Sequence, residues 1–316
     1  MEASTRRSSI QHAYWEVAGV ARSVIPHRCG ASLATVGWLA ALVLVPGCQK
    51  PREQYRATAD WRHYYVPPEP LPVPARPAAI RGYEQTTRLG QSVDGRPIEM
   101  TVFGREGETT LILGAFHGNE PSGADVARSL IEHLRAHPEL TRDRRVAVVP
   151  VVNPDGLLAA TRHNRRNVDL NRNLPARNFP SKPGAKFAGG PFAGSEPETQ
   201  AVVTAIREIR PVKIISIHSI ARGRHGNNYD GPAHDLAVEM SRHNRYPVLT
   251  TMGYPTPGSF GSWAGVDQQI PTITLELPRD ASGRTCWQEN REALLAAIRF
   301  DVNADRSTPQ RTTSGK

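Results

Sequence analysis

The chain of 316 residues has only three cysteines, too few in its folded part for a disulfide or a cysteine-based metal site. Cys29 and Cys48 lie near the N-terminus, ahead of the part of the chain that looks folded. Cys286 therefore has no cysteine partner there, and we interpret it as an ordinary small side chain.

The chain also lacks an apolar run of the length that a transmembrane helix needs. Its most apolar stretch, residues 31–45 (ASLATVGWLAALVLV), has 15 residues, which is short for a membrane span but fits the core of a signal peptide. Arg22 and Arg28 precede it. The sequence Val45-Pro-Gly-Cys48 follows, and it resembles a bacterial lipoprotein cleavage box in which Cys48 would be lipidated. We therefore predict an export leader over residues 1–48.

The segment that precedes the apolar core is long for a leader, so either the true start lies downstream or the segment is an uncleaved anchor. Several prolines between residues 67 and 77 then predict an extended linker over residues 49–80. Together these segments predict an exported protein on the periplasmic side of the cell envelope, tethered to the membrane through its N-terminus. A core helix of a cytoplasmic protein is the alternative interpretation of residues 31–45.

No block of like charges and no internal repeat is present. The formal charge of +9 is spread along the chain, which permits attraction to anionic cell wall or lipid headgroups. The interleaving of aromatic and basic residues that is typical of single-strand binding is absent, and we expect no nucleic-acid partner.

Apolar runs of strand length alternate with helix-like stretches in the middle of the chain. Strands are predicted at 97–103, 110–116, 146–152, 212–217 and 270–277, and helices at 124–137, 196–209, 235–243 and 287–300. This alternation predicts one α/β domain over residues 81–300, with a mixed, mostly parallel twisted sheet and helices on both faces. A disordered tail is expected over residues 301–316.

The first candidate for chemistry is the pair His117 and Glu120, where the strand at 110–116 gives way to a helix. An imidazole and a carboxylate suit Zn²⁺, and an open catalytic zinc site usually takes three protein ligands and water. The pattern His-x-x-Glu is common, and a surface turn is the plainer interpretation of the pair alone.

Further candidates lie at other strand ends. His218 follows one strand, where a hydrogen-bonded core histidine is the alternative. Glu276 lies inside an apolar strand, where its charge is costly unless it has a partner. A salt-bridged residue at a strand end is the alternative interpretation. Residues 161–173 are rich in Arg and Asn, and Arg suits bidentate recognition of a carboxylate. A solvated basic loop is the alternative, but Asp and Asn among the arginines indicate a fixed network.

These motifs, taken in order, resemble the zinc carboxypeptidase superfamily. The matching features are His117-x-x-Glu120, Asn153-Pro-Asp-Gly156, Arg162 ahead of Asp169-Leu-Asn-Arg-Asn173, His218-Ser219, Tyr254 and Glu276. The resemblance extends from about residue 90 to residue 297. Residues 253–263 and 273–278 look closest to the members that cleave murein peptides. So many motifs in one order make the resemblance specific.

The resemblance implies a metal centre with one zinc ion per chain. His117, Glu120 and His218 would be its three protein ligands, the same ligand types that hold zinc in carboxypeptidase A. Asp169 would hydrogen-bond a ligating imidazole and fix its tautomer.

The resemblance also implies the roles around the substrate. Glu276 would take a proton from the attacking water and pass it to the leaving amine, and Arg162 would stabilise the oxyanion. Asn171 and Arg172 would hold the free carboxylate of the released residue. Tyr254 would close over it from a mobile loop rich in Gly and Pro.

Gly261 occupies the position that sets side-chain preference in digestive members of the family. We expect no acidic residue there to hold Lys or Arg, and no bulk to fill the space. A roomy pocket suits an unusual side chain such as that of diaminopimelate. Arg222 or Arg224 are candidates for its second carboxylate, with a solvated face as the alternative.

We therefore predict a zinc metallocarboxypeptidase that removes the C-terminal residue of short peptides. The expected target is the γ-D-glutamyl–diaminopimelate bond of peptidoglycan peptides. A general metallocarboxypeptidase acting on ordinary peptides is the first alternative. A zinc deacylase of the aspartoacylase type shares His-Gly-Asn-Glu and Asp-Leu-Asn-Arg, but the Asn-Pro-Asp-Gly turn speaks against it. An inactive wall-binding module is the last alternative, and it is disfavoured because every catalytic position is filled.

Overall fold

A mixed sheet of eight strands forms the centre of the fold. The computed structural model describes residues 83–184 and 187–303, and all of these belong to one compact unit. The strands are β1 (Glu84–Gln91), β2 (Pro97–Phe103), β3 (Thr109–Leu113), β4 (Arg145–Val149), β5 (Lys213–Ile220), β6 (Gly226–Asp230), β7 (Val248–Leu249) and β8 (Thr272–Pro278). Their order across the sheet is β1-β2-β4-β3-β5-β8-β6-β7.

The central strands β4, β3, β5 and β8 run parallel. β2 and β6 flank them as antiparallel neighbours of β4 and β8, and β1 pairs antiparallel with β2. Both faces of the central strands are covered, which is why β3 and β4 are fully buried and mostly apolar rather than alternating. The predicted mixed, mostly parallel sheet is confirmed.

Helices cover both faces of this sheet, as predicted. They are α1 (Pro121–Ala136), α2 (Pro154–Ala159), α3 (Pro197–Ile209), α4 (His234–Asn244) and α5 (Gly283–Arg299). One apolar core joins the sheet to α1, α4 and α5, and Cys286 is buried in it. A second core joins the other face to α3 and to the aromatic pair Phe260 and Trp263. The two cores hold the sheet rigid beneath its loops.

Several element ends differ from the sequence prediction. β3 stops at Leu113 because the chain turns away at Ala115, which has a left-handed φ of 48°. β5 continues to Ile220 because it pairs with β8 along its whole length, so His218 lies within the strand rather than after it. β6 was not predicted because its sequence, Gly-Asn-Asn-Tyr-Asp, is too polar to indicate a strand.

The Asn-Pro-Asp-Gly motif begins α2 rather than forming a simple turn. The Asn153 side chain caps the helix by accepting a hydrogen bond from the Gly156 N–H at 2.9 Å, and Pro154 occupies the first turn.

The predicted leader and linker over residues 1–80, and the tail beyond Asn303, lie outside the described residues and stay predictions. Among the helices of the described ranges, none is both long enough and apolar enough to span a bilayer.

Candidate active site

The carboxyl ends of the parallel strands place the candidate residues at one edge of the sheet, where α/β folds commonly bind ligands. His117 and Glu120 follow β3, and His218 lies near the end of β5. Glu276 on β8 is the register partner of His218, so both side chains leave the sheet on the same face. All four line one cleft, which we call the active-site cleft.

Three side chains meet at the base of this cleft. The His117 Nδ1 lies 3.0 Å from Glu120 Oε1, and the His218 Nδ1 lies 3.3 Å from Glu120 Oε2. The two Nδ1 atoms are 3.2 Å apart. Each of the three residues is buried, and all their ligand atoms lie within 4.8 Å of one another. This group could hold a metal ion.

An outer hydrogen bond gives His117 the tautomer that a metal requires, and a hydroxyl group occupies the equivalent position at His218. The His117 Nε2 lies 3.0 Å from Asp169 Oδ1, to which it can only donate, and the His218 Nε2 lies 3.0 Å from Ser216 Oγ. A neutral His117 is therefore protonated at Nε2 and directs its Nδ1 lone pair at Glu120. Nitrogen atoms and a carboxylate this close need a proton or a metal ion between them, and two imidazoles with one carboxylate are a donor set that fits Zn²⁺.

The charges around this group also favour a cation. Burial opposes ionisation of Glu120, but hydrogen bonds from His117 and His218 outweigh it and hold the pKa of the carboxyl well below its usual range. Burial likewise opposes the charge on Asp169, and His117 and Arg162 lower its pKa. For His117, burial lowers the pKa but the two carboxylates outweigh it, so the net shift is upward. A proton therefore competes with a metal for this centre.

Arg162 is fixed above the metal-binding group by Asp169. Its Nε donates to Asp169 Oδ2 at 3.0 Å, while Asp169 Oδ1 accepts from His117 and from the Asn171 N–H. One guanidinium nitrogen lies 3.6 Å from Glu120 Oε1. The predicted network of Arg, Asp and Asn residues thus exists. Asp169 connects the Arg162 guanidinium group to His117 of the metal-binding group.

The four residues predicted to bind substrate, Asn171, Arg172, Tyr254 and Gly261, line the same cleft. Asn171 Oδ1 accepts from the Phe260 N–H at 2.8 Å, which leaves its Nδ2 as the donor available to a ligand. Arg172 is half-buried, and its Nη1 donates to the Asn171 carbonyl at 2.7 Å. Tyr254 stands at the rim with 47% of its surface exposed. Donors for a carboxylate therefore line the cleft.

Glu276 is 8% exposed, and its environment suits a proton acceptor. Burial raises the pKa of its carboxyl, and this effect outweighs the opposing influence of His218, His117 and Arg162. A higher pKa makes the carboxylate a stronger base.

The pocket beside Gly261 is not free of acidic residues, so that prediction was wrong. Asp230, the last residue of β6, lies against Gly261, and a Cβ atom at position 261 would collide with its carboxylate. Burial raises the pKa of Asp230. Asn228 and Thr274 line the same part of the cleft, and we call Asn228, Asp230 and Thr274 the acceptor floor. Sequence reasoning missed this floor because it did not predict β6.

The arginines proposed for a second substrate carboxylate lie elsewhere. Arg222 pairs with Asp280 at 2.7 Å on the surface, Arg224 donates to the Met252 carbonyl at 3.0 Å, and neither is among the residues lining the active-site cleft. Arg279, which does line it, was overlooked. Its position three residues after Glu276, at the end of the same strand, was a signal available in the sequence.

Comparison with known proteins agrees with the geometry. The profile of the family described as zinc carboxypeptidase matches residues 83–230. Murein peptide amidase A of Escherichia coli (strain K12) is 35% identical over 222 residues, covering 64% of this chain and 86% of that protein. Its counterpart in Vibrio campbellii is 30% identical over 231 residues, covering 68% of this chain and 88% of that protein.

A solved structure shows the same relationship in three dimensions. The crystal structure of the murein-tripeptide amidase of Escherichia coli O157 matches with a TM-score of 0.57 and 32% identity, covering 71% of this chain and 94% of that chain. The family resemblance inferred from the motifs is confirmed, and the chain belongs to the zinc carboxypeptidase family of metallohydrolases.

Proposed function

We propose that this protein removes the C-terminal residue from short murein peptides by cleaving the γ-D-glutamyl–diaminopimelate bond. The relatives named murein peptide amidase A support this substrate class. The acceptor floor is the observation on which the proposal depends, because a diaminopimelate side chain ends in an ammonium group and a carboxylate.

The acceptor floor lacks a cation of its own. Within the described residues, Asp230 forms no ion pair and accepts one long hydrogen bond, from Asn228 Nδ2 at 3.5 Å, while the buried Asn228 Oδ1 accepts none. Two such acceptors are costly to leave unsatisfied when a ligand displaces water. An incoming ammonium group would satisfy both. An apolar side chain would satisfy neither, which disfavours a general carboxypeptidase. Lysine also ends in an ammonium group, and the relatives favour diaminopimelate.

We assign one zinc ion to His117, Glu120 and His218. When bound, zinc would act as a Lewis acid toward the scissile carbonyl group and lower the pKa of a water molecule. The donor set, the outer hydrogen bonds to Asp169 and Ser216, and membership of the family support this assignment.

The chain's own residues supply the remaining chemistry. Glu276 would accept a proton from the attacking water on its carboxylate and deliver it to the departing amine nitrogen. Arg162, held by Asp169, would stabilise negative charge that develops on the carbonyl oxygen. Asn171 and Arg172 would bind the α-carboxylate of the residue being released.

A panel of synthetic peptides tests the proposal. The tripeptide L-Ala-γ-D-Glu-meso-diaminopimelate is compared with versions ending in L-Lys or L-Ala and with ordinary α-linked tripeptides. We expect the highest kcat/KM for the diaminopimelate peptide. Cleavage of the ordinary peptides alone would overturn the murein proposal, and equal cleavage of all peptides would indicate a general carboxypeptidase.

The Asp230→Asn variant tests the acceptor floor within the same panel. We expect kcat/KM for the diaminopimelate peptide to fall about 10- to 100-fold, the cost of one charged hydrogen bond, with a smaller change for the L-Ala peptide. Asp235→Asn is the matched control, because Asp235 is an exposed acid at the start of α4, away from the active-site cleft.

We also propose that the protein is exported and tethered at the cell envelope. The apolar core at 31–45, Cys48 and the proline-rich residues after it support this proposal. Mass spectrometry of the mature N-terminus from fractionated cells tests it. A lipid-modified Cys48 or an envelope-associated uncleaved leader is expected, and an unmodified chain confined to the cytoplasm would overturn it.

A further inference from the structure

The guanidinium group of Arg279 lines the active-site cleft and uses only part of its hydrogen-bonding capacity. Its Nη2 donates to the Ser219 carbonyl at 2.8 Å and lies 3.5 Å from Glu120 Oε1. Its Nε and Nη1 have no hydrogen bond within the described residues, and half of the side chain is exposed. Donors therefore remain for a ligand that enters the cleft.

Strand β8 shows on which side of Glu276 this cation lies. Thr274 is the register partner of Asn228, and Thr272 is the partner of Asp230, so the acceptor floor lies on the N-terminal side of Glu276. Arg279 follows Glu276 by three residues, or about 10 Å of extended chain.

Arg279 continues the direction of the strand. Its N–H donates to the Ile220 carbonyl at 2.8 Å, which extends the β5–β8 ladder by one step. Glu276 therefore stands between two charged regions, the acceptor floor on one side and Arg279 on the other. If the side chain of the released residue points to the floor, the other half of the substrate extends toward Arg279.

We propose that Arg279 binds a carboxylate carried by the residue on the acyl side of the scissile bond, namely the free α-carboxylate of the γ-linked D-glutamyl residue. This inference rests on the proposed function. A γ-glutamyl bond uses the side-chain carboxyl group, so the α-carboxylate stays free beside the bond. An ordinary α-linked peptide has no carboxylate at that position. A guanidinium group with two unused nitrogens suits such a ligand.

A purely structural role for Arg279, as the counter-ion of Glu120, is the competing explanation. Glu120 already has closer partners, since the His117 Nδ1 lies at 3.0 Å and the Ser219 N–H donates to it at 3.0 Å. The contact with Arg279 is longer, at 3.5 Å, and involves one nitrogen. The experiment must nevertheless separate the two roles, so it measures metal content as well as rates.

The test compares the diaminopimelate tripeptide with the same peptide in which the D-glutamyl α-carboxylate is converted to an amide. For the zinc-loaded wild-type protein, we expect kcat/KM to be about 10- to 100-fold higher for the free acid, as for other charged hydrogen bonds. Arg279→Gln should lose most of this preference through its effect on the free acid. Its rate on the amide and its bound zinc should stay close to wild type.

Arg222→Gln is the matched control, because Arg222 is an exposed arginine nearby in sequence to His218 that does not line the cleft. It should keep the wild-type preference. Equal wild-type rates on both peptides would overturn the inference and leave the proposed function intact, whereas cleavage of neither peptide would overturn the proposed function. A parallel loss on both peptides in Arg279→Gln, accompanied by loss of zinc, would assign Arg279 to the support of Glu120 and overturn the inference.

Discussion

Glu276 and Asp230 are two carboxyl groups whose pKa burial raises, yet the consequences of that burial differ. For Glu276 the raised pKa strengthens a base that faces the metal-binding group. For Asp230 it reflects a negative charge held without a cation partner among the described residues. In the proposed mechanism one buried carboxyl would serve proton transfer, and the other would serve recognition at a cost in stability.

Replacing Glu276 by Gln tests the first of these roles. The amide keeps the size of the side chain but cannot accept the proton of the attacking water. We expect kcat to fall by roughly 10²- to 10⁴-fold, the usual contribution of a general base, while bound zinc is unchanged. Metal analysis and steady-state kinetics on the diaminopimelate tripeptide measure both quantities. Activity close to wild type would mean that another group is the base.

Replacing Asp230 by Asn tests the cost in stability of its buried charge. The pKa of Asp230 is higher in the folded protein than in the unfolded chain, so the folded state binds the proton more tightly. Ionised Asp230 therefore destabilises the fold at neutral pH, and this cost disappears as the pH falls below the pKa of the unfolded chain, about 4. For metal-free protein we expect Asp230→Asn to raise Tm at pH 7 by about 2–4 °C.

The pH dependence of this gain provides the control. Thermal unfolding of both metal-free proteins should show the difference in Tm shrinking toward pH 4. A gain of the same size at every pH would not come from the charge, and a loss of Tm at pH 7 would mean that Asp230 is stabilised by its surroundings.

At the residue scale, the sequence was most informative where chemistry and motif coincide. His117, Glu120, His218, Asp169 and Arg162 converge as the motifs predicted. Asp230 could not be found in the same way, because it belongs to no motif and reaches the cleft through an unpredicted strand.

At the scale of elements, the loop that carries His117 rests directly on the start of α2. A Cβ atom at Gly118 would collide with the backbone of Gly156, so the two segments pack without side chains between them. The Asn153 N–H donates to the Ala115 carbonyl at 3.0 Å, and its Nδ2 donates to the Phe116 carbonyl at 3.2 Å. The Asn-Pro-Asp-Gly motif therefore supports the metal-binding loop.

Gly118→Ala should force these two backbones apart. We expect a loss of about 1–3 kcal/mol in the free energy of unfolding, typical of overpacking, together with weaker zinc binding. Denaturant unfolding and a zinc competition assay measure the two effects. Gly184→Ala is the control, because a Cβ atom there meets nothing within 4 Å. Unchanged zinc affinity in Gly118→Ala would show that the contact does not position the ligands.

Apolar runs predicted most strands and helices but not where each one ends. The end of β5 depends on its pairing with β8, and the end of β3 depends on the turn at Ala115. Each end involves a partner distant in sequence, β8 for β5 and, for the turn after β3, Asn153, whose N–H donates to the Ala115 carbonyl. The same limitation hid β6, whose strand conformation comes from pairing with β8 rather than from its own composition.

At the scale of the whole molecule, the metal-binding group lies outside the two apolar cores. We therefore expect the metal-free protein to stay folded but to melt at a lower temperature. Zinc in 1,000-fold excess over its Kd would stabilise the fold by about 4 kcal/mol, because it binds only the folded state. Circular dichroism during heating, with chelator and after zinc is restored, measures the shift. A metal-free protein without a cooperative transition would contradict this expectation.

The fold class was predictable because alternating strands and helices allow few architectures. The order of strands in the sheet was not, since the hairpin of β1 and β2 joins the sheet by pairing β2 with β4, a strand distant in sequence. Nor did the sequence show that the acceptor floor and Arg279 lie on opposite sides of Glu276. That arrangement exists only once β6 and β8 are paired.

The contact between Gly261 and Asp230 has an evolutionary consequence. Any larger residue at position 261 must first displace the Asp230 carboxylate, so the effect of a substitution at one position depends on the residue at the other. A lineage moving toward apolar substrates could exchange Asp230 for a smaller residue and later fill the space from position 261. The reverse order would pass through an intermediate with a disrupted pocket. The side-chain preference of this enzyme should therefore change in a fixed order, with the substitution at position 230 before the one at position 261.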